Sequence, residues 1–248
     1  MRAIFVGIEY AGKSTLIELL DAYYQRLELH PHIDDHFTIP DSELSPESRE
    51  LALKFPDDVK ERTQRMQIHY HIDIVKFYEH VLLAGWHIEE SIYTSLYGPD
   101  PSSHYYPGYW YQFQRQYEAQ LLKEDLPGLV LIHVTAEDDT IQQRMRDHPH
   151  KHQVIREEHI AELKRRFSGE VEKSLLTQGR EFIDLDTTAK TPQQSLDELL
   201  TLSEPLVSTA ELAMRSVPVP ATEYDVRYEN GVRKLIPKST KEARESIT

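Results

Sequence analysis

The chain contains no cysteine, which excludes disulfide bonds and thiolate metal sites and fits a reducing compartment. Its apolar runs are all much shorter than the roughly 20 residues that a membrane-spanning helix needs. We also expect no signal peptide, because Met1 leads directly into a predicted strand. We therefore expect a cytoplasmic protein that does not bind membranes.

The chain also has few positively charged side chains: 28 Lys and Arg stand against 42 Asp and Glu, which gives a formal net charge of −14. A negative field repels the phosphate backbone of nucleic acids, so general nucleic-acid binding is disfavoured. A local positive site for a small anion remains possible. The 248 residues, 39% of them hydrophobic, suffice for one globular α/β domain with a sizeable core.

A phosphate-binding loop is the most informative motif. Residues 7–14 read Gly-Ile-Glu-Tyr-Ala-Gly-Lys-Ser, an uninterrupted G-x-x-x-x-G-K-(S/T) sequence. A predicted strand precedes it and a predicted helix follows, so backbone amides and the helix dipole can cradle phosphate oxygens. Lys13 would reach the β- and γ-phosphates and the Ser14 hydroxyl would bind Mg²⁺. The predicted ATP-binding residues are Gly7, Tyr10, Ala11, Gly12, Lys13, Ser14 and Thr15.

Strand and helix patterns alternate along the chain. The predicted strands cover residues 2–6, 33–39, 86–89, 128–134 and 180–186, and the predicted helices cover residues 14–28, 57–84, 109–124, 137–147, 157–177 and 192–203. This alternation predicts an α/β fold with three layers, in which helices cover both faces of a five-stranded parallel sheet. Ligands of such sheets bind beyond the carboxyl ends of the strands, where the phosphate loop lies.

The chain divides into a domain over residues 1–203 and a C-terminal extension over residues 204–248. The extension lacks the strand–helix rhythm, but its sequence predicts a β-hairpin that turns at Asn230-Gly231. Two long loops leave the predicted sheet, at 40–56 and 98–108.

Two adjacent carboxylates close the predicted third strand, Glu89 and Glu90. At the carboxyl edge beside a phosphate loop, one of them is expected to hold Mg²⁺ rather than being merely solvated.

A basic break separates two predicted helices. Arg144 and Arg146 precede it, and a helix with further cations follows. This pattern, near residues 144–156, predicts a lid that brings cations to transferring phosphates. The alternative interpretation is that these arginines merely stabilise the C-terminal end of the helix. The two interpretations weigh equally for Arg146, whereas the lid is favoured for Arg144. We expect the histidines in the break, His148, His150 and His152, to be exposed rather than metal ligands.

The acceptor side gives weaker signals. Residues 105–113 are strongly aromatic; helix packing is the favoured interpretation over stacking on a nucleobase. Arg65, on the long second helix, is a candidate for the acceptor pocket.

Together these segments resemble P-loop kinases of nucleosides and nucleotides, specifically the deoxynucleoside kinase and thymidylate kinase group. The resemblance covers about residues 1–203. Residues 5–15 resemble the opening strand and loop of that family, and 89–95 resemble its Glu-Arg-Ser segment with the following aromatic, Tyr93. Residues 131–136 with 144–146 are similar to its fourth strand and arginine-bearing lid, and 182–186 to its last strand.

The resemblance implies the P-loop NTPase fold, ATP as donor, and Mg²⁺ near Ser14 and Glu89. It also implies lid arginines at Arg144 and Arg146, and a homodimer through helices that flank the sheet. In deoxynucleoside kinases a carboxylate near the end of the second strand deprotonates the acceptor hydroxyl; Asp35 and Asp41 are candidates here.

Glu90 stands where the family has arginine. A carboxylate at about 4 Å would repel an incoming monophosphate by several kcal/mol at an effective dielectric constant near 20. The site should therefore prefer an uncharged or cationic hydroxyl acceptor, and Glu90 is a candidate general base. The leading prediction is an ATP-dependent kinase of a small, probably nucleoside-like acceptor, with Lys13, Glu90, Arg144 and Arg146 as catalytic residues and Asp35, Arg65 and Tyr93 on the acceptor side.

A P-loop protein that binds nucleotide without turnover stays open, although the intact Lys13, Ser14 and lid arginines count against it. Two further alternatives stay open. One is a nucleoside monophosphate kinase. The other is an ATP hydrolase or regulatory ATPase in which Glu89 and Glu90 form a Walker-B pair. A GTPase is less favoured, because the sequence has no Asn-Lys-x-Asp motif.

Overall fold

The computed structural model describes residues 1–35, 45–97, 114–150, 153–217, 224–229 and 232–237. Its main sheet has five strands, β1 (Arg2–Val6), β2 (His32–Asp35), β3 (Val81–Ala84), β4 (Leu129–Thr135) and β5 (Ile183–Asp186). All neighbours are parallel, in the order β2-β3-β1-β4-β5. This confirms the predicted five-stranded parallel sheet.

Helices connect these strands and cover both faces of the sheet. They are α1 (Lys13–Arg26), α2 (Pro46–Ala52), α3 (Asp57–Phe77), α4 (His87–Tyr97), α5 (Gln114–Leu121), α6 (Asp138–Asp147), α7 (Ile160–Lys173), α8 (Pro192–Ser203) and α9 (Thr209–Arg215). The helices contact one another in pairs: α1 packs against α8, α3 against α5, and α4 against α7. The central strands β1, β3 and β4 are apolar almost throughout, because helices cover both of their faces. No helix in the described ranges is long and apolar enough to cross a membrane.

The prediction of the third strand is wrong. It was placed at residues 86–89, but β3 spans Val81–Ala84, and the helix predicted to run from 57 to 84 ends at Phe77. Gly85 (φ 82°) and Trp86 (φ 148°) then turn the chain in backbone conformations that end the strand. Glu89 and Glu90 consequently lie in the first turn of α4 rather than at a strand end.

Other predicted boundaries shift by a few residues. The strand predicted over 180–186 begins at Ile183, and the helix predicted over 157–177 is a 3₁₀ turn (Glu157–His159) followed by α7. The loop predicted over 40–56 contains α2. In contrast, α8 covers the predicted residues 192–203, with Thr191 and Gln194 forming a capping box at its start.

The C-terminal segment is attached to the domain through α9. Glu211 of α9 is buried; it accepts hydrogen bonds from the Tyr24 hydroxyl (2.5 Å) and the Arg215 guanidinium (2.6 Å), and it pairs with the ammonium of Met1. Further on, β6 (Tyr224–Glu229) and β7 (Val232–Pro237) pair antiparallel. The predicted turn at residues 230–231 lies outside the described residues.

Candidate nucleotide-binding site

The phosphate loop follows β1 at the carboxyl edge of the sheet and ends where α1 begins. Gly7 has φ 148°, and a Cβ atom at this position would lie 2.1 Å from the carbonyl oxygen of Val134 on β4. Gly12, with φ 105°, directly precedes α1. Glycine is therefore required at residue 7 by a close backbone approach, and at residue 12 by backbone conformation.

Lys13 forms a buried ion pair at the centre of the loop. Its Nζ donates to the carbonyl oxygens of Gly7 (2.5 Å) and Ile8 (3.3 Å) and lies 3.2 Å from Oε1 of Glu89. The same Oε1 accepts the Gly7 amide at 3.1 Å. Glu89 is fully buried and Lys13 is 9% exposed. The pair compensates two charges that would be costly to bury singly, and it joins the first turn of α4 to the loop.

The oxygen donors near the loop fit a magnesium ion shared with nucleotide phosphates. The Ser14 hydroxyl is exposed in the first turn of α1, where Thr15 follows it, and the Glu89 carboxylate lies beside Lys13. Among the described residues, no three His, Cys, Asp or Glu side chains are grouped as a metal site. Mg²⁺ in kinases is commonly held by one or two protein oxygens together with water and phosphates, and this donor set suits that mode.

Arg144 reaches the phosphate loop, whereas Arg146 does not. The Arg144 guanidinium donates to the carbonyl oxygen of Tyr10 (2.9 Å) and to the hydroxyl (3.0 Å) and carbonyl (3.1 Å) oxygens of Thr187. The Arg146 side chain is 56% exposed, 3.7 Å from Glu157 and 3.2 Å from Gln143. Of the two predicted lid arginines, the structure therefore places only Arg144 against the phosphate loop.

Sequence reasoning missed Thr187, which follows β5. Its hydroxyl donates to the carbonyl oxygen of Ala11 (2.7 Å) and accepts from Arg144. Thr187 thereby links the phosphate loop to the loop after the last strand. The only available signal was its position just beyond the predicted final strand.

The predicted acceptor-side residues lie on three different elements. Asp35 ends β2, opposite Ala84 of β3, at the carboxyl edge. Arg65 pairs with Glu61 of its own helix at 3.4 Å. Glu90 is 1% exposed in the first turn of α4. Tyr93 is also buried; burial raises its pKa well above the ordinary value, and its hydroxyl accepts the Glu9 amide at 2.8 Å.

A second buried cluster holds the start of α4. Glu118 of α5 contacts His87 Nε2 (2.9 Å), the Arg115 guanidinium (2.7 Å), the Ser174 hydroxyl (2.8 Å) and the Leu175 amide (2.8 Å). Burial alone would raise the pKa of Glu118, but the hydrogen bond from His87 and these other donors outweigh it and lower the pKa to about 2. The cluster ties α4 to α5 and to the end of α7.

Three parts of the sequence interpretation fall outside the described residues. They are Asp41, the aromatic residues 105–113 and His152. His150 is described and is 44% exposed at its side chain, but it is engaged with Glu9 and Tyr10 rather than standing free.

No family model and no curated protein matches the chain. Solved structures do match. Deoxyadenosine kinase from M. mycoides with bound dATP has a TM-score of 0.54 and 17% identity, covering 81% of this chain and 98% of its own. The YorR protein of Bacillus subtilis, in complex with phosphorylated GDP, has a TM-score of 0.52 and 14% identity, covering 82% and 95%. Thymidylate kinase from Candida albicans has a TM-score of 0.51 and 15% identity, covering 82% and 90%.

These identities are low, so the likeness concerns the fold. Three observations indicate the same fold. They are the strand order, the loop between β1 and α1, and the similarity to these structures. The chain has a three-layer α/β P-loop fold, and these three solved structures share its overall architecture.

Proposed function

We propose that this protein is an ATP-dependent kinase that transfers the γ-phosphoryl group to the hydroxyl of a small, nucleoside-like acceptor, with Mg²⁺ as cofactor. The observation that carries the proposal is the position of Lys13: within a complete phosphate loop, its Nζ is held by Glu89 and by the carbonyl oxygen of Gly7. Kinase structures with the same fold support it.

On the donor side, the loop amides and the first turn of α1 bind the phosphates. Lys13 exchanges its carbonyl contacts for phosphate oxygens. Arg144 holds the phosphate loop in place because it donates to the carbonyl oxygens of both Tyr10, in the loop, and Thr187, after β5. Ser14 and Glu89 would hold Mg²⁺, which when bound neutralises charge on the phosphates. Catalysis then consists mainly of positioning and charge stabilisation.

On the acceptor side, Glu90 is the proposed base. Its carboxylate takes the hydroxyl proton as the acceptor oxygen bonds to the γ-phosphorus, and the bond to the β–γ bridging oxygen breaks to release ADP. Glu89 and Glu90 are both buried and neighbouring in α4. Since Lys13 compensates Glu89, the Glu90 carboxylate is the group that would repel a monophosphate and favour an uncharged or cationic acceptor.

The test is ADP release from Mg-ATP, first without acceptor and then with nucleosides, nucleoside monophosphates and polyols. Stimulation by a hydroxyl compound without phosphate supports the proposal. Stimulation only by a monophosphate would overturn the acceptor assignment, and release that needs no acceptor would favour the hydrolase with Glu89 and Glu90 as its acidic pair.

Replacing the proposed base gives a sharper result. We expect Glu90→Gln to lower kcat by roughly 10²- to 10⁴-fold, the usual contribution of general-base catalysis, with the Kd for ATP changed less than about twofold. Glu172→Gln, which removes an exposed carboxylate from α7, is the matched control and should leave both constants unchanged. Undiminished turnover in a folded Glu90→Gln protein would remove Glu90 from the mechanism and direct attention to Asp35.

A further inference from the structure

Glu9 and Tyr10, which occupy unspecified positions of the phosphate-loop motif, contact the chain that follows α6. We call residues 148–156 the post-α6 segment; all but residues 151–152 are described. This segment was predicted to be a lid. In the structure its contacts run to the phosphate loop at one end and to α4 at the other.

The Glu9 carboxylate is fully engaged with this segment. Its Oε1 lies 2.6 Å from Nδ1 of His150, and its Oε2 accepts the amides of Val154 (3.0 Å) and Ile155 (3.2 Å). Only 11% of the Glu9 side chain is exposed. A carboxylate this buried is stabilised by such donors, so both oxygens are committed to the protein rather than available to a metal ion or an acceptor.

Tyr10 supplies a second set of contacts. Its hydroxyl donates to Oε1 of Gln153 (2.9 Å) and accepts the His150 amide (2.9 Å). Its ring stacks on the His150 imidazole with centroids 4.1 Å apart and an interplanar angle of 19°. Tyr10 has φ 67°, a left-handed conformation that is unfavourable for a residue other than glycine. These contacts hold that conformation in place.

The far end of the segment is attached to α4. The Arg156 amide donates to the Tyr97 hydroxyl (3.2 Å), the Arg156 guanidinium lies 5.8 Å from the Tyr97 ring centroid, and Ile155 is 2% exposed in the core. The Glu9 amide, in turn, donates to Tyr93 of α4. Glu9 is thus the residue at which the phosphate loop, α4 and the post-α6 segment meet.

We propose that Glu9 is a positioning residue whose carboxylate docks the post-α6 segment onto the phosphate loop, so that nucleotide binding to the loop is transmitted directly to this segment. The role of this docking in phosphoryl transfer rests on the proposed function; the docking itself does not. A nucleotide that orders the loop should order residues 153–156 as well, because Glu9 joins their backbones.

The test is amide hydrogen exchange of the full chain, resolved for Val154 and Ile155. In the ligand-free protein, Glu9→Ala should speed exchange of these two amides by about tenfold or more, since each loses its acceptor. Glu9→Gln keeps one oxygen acceptor of the same reach and should give intermediate rates. The control Glu172→Gln should match the wild type. Wild-type exchange at both amides in Glu9→Ala, with an unchanged thermal midpoint, would overturn the proposal.

A non-hydrolysable ATP analogue tests the transmission without requiring turnover. It should protect residues 153–156 further in the wild type and in Glu172→Gln, but not in Glu9→Ala, at concentrations that saturate the loop in all three proteins. Equal protection by the analogue in wild type and Glu9→Ala would contradict the proposal. ADP release with acceptors reports separately on the proposed function, so failure of one proposal is distinguishable from failure of the other.

Discussion

The proposed donor and acceptor sides of the phosphate loop are built in different ways. On the donor side, one contiguous sequence, residues 7–14, is fixed through its backbone by the Lys13–Glu89 pair, by Arg144 and by Thr187. On the acceptor side, Glu90 depends on the position of α4, which the Glu118 cluster holds from two other helices. The proposed donor site is thus one contiguous loop held in place by its neighbours, whereas the proposed acceptor side has no contiguous motif and draws Asp35, Arg65 and Tyr93 from three separate elements.

The strongest way to break the donor side is Gly7→Ala. A methyl group there would lie 2.1 Å from the Val134 carbonyl oxygen, which backbone movement alone can relieve. We expect the free energy of unfolding to fall by about 4 kcal/mol or more, measured by urea denaturation. Gly12→Ala is the matched control: it also places alanine at a positive φ, but its Cβ would meet only ordinary contacts at 3.7 Å and beyond. It should therefore lose less stability than Gly7→Ala, and equal losses in the two variants would contradict this account.

The next largest effect concerns the ion pair that joins the two sides. Lys13→Met leaves the buried Glu89 carboxylate without its ammonium partner, and should lower the free energy of unfolding by about 3 kcal/mol. The double variant Lys13→Met/Glu89→Gln should recover more than half of this loss while remaining inactive. No recovery in the double variant would show that Lys13 does not stabilise the fold through Glu89.

The acceptor side is expected to weaken in acid. The folded-state pKa of Glu118 is about 2, below its ordinary value of 4.5, so its stabilisation is present above pH 4.5 and is lost as the pH falls toward 2. The loss amounts to roughly 3 kcal/mol. The stability difference between wild type and Glu118→Gln should therefore shrink between about pH 5 and pH 3. A difference that is constant over this range would show that Glu118 is not ionised against its partners.

The smallest expected effect is a difference in ATP affinity between variants of the two arginines of α6, Arg144 and Arg146. Arg144→Ala removes three hydrogen bonds to the loop region and should weaken ATP binding by about tenfold. Arg146→Ala removes only exposed contacts and should change the Kd by less than about twofold. Isothermal titration calorimetry measures both; equal effects would restore Arg146 to the site.

The sequence predicted the strand, loop and helix around residues 7–14 well, because that information is contiguous. The motif at residues 7–14 specifies strand, loop and helix together, and the periodic patterns specify the parallel sheet. Lys13 and Ser14 lie on the loop and first turn where the motif placed them, although their roles stay predictions.

The errors arose where apolar patterns are ambiguous. Val81–Ala84 continues the apolar spacing of α3, so the buried strand was read as part of the helix, and the strand was assigned to the next apolar run. Gly85 was the available signal for the boundary. The pairing of Glu9 with His150, 141 residues away, has no local signature, although Glu9 is the only carboxylate within the loop motif. Such contacts depend on tertiary packing, which one sequence does not encode in its spacing.

The most direct measurement is the fate of the γ-phosphoryl group, followed by ³¹P NMR of Mg-ATP with the protein and a mixture of nucleosides. The account predicts a phosphomonoester signal that grows in step with ADP, and its loss in Lys13→Met. Inorganic phosphate appearing with ADP at the same rate with or without nucleosides, and with no phosphomonoester, would contradict it.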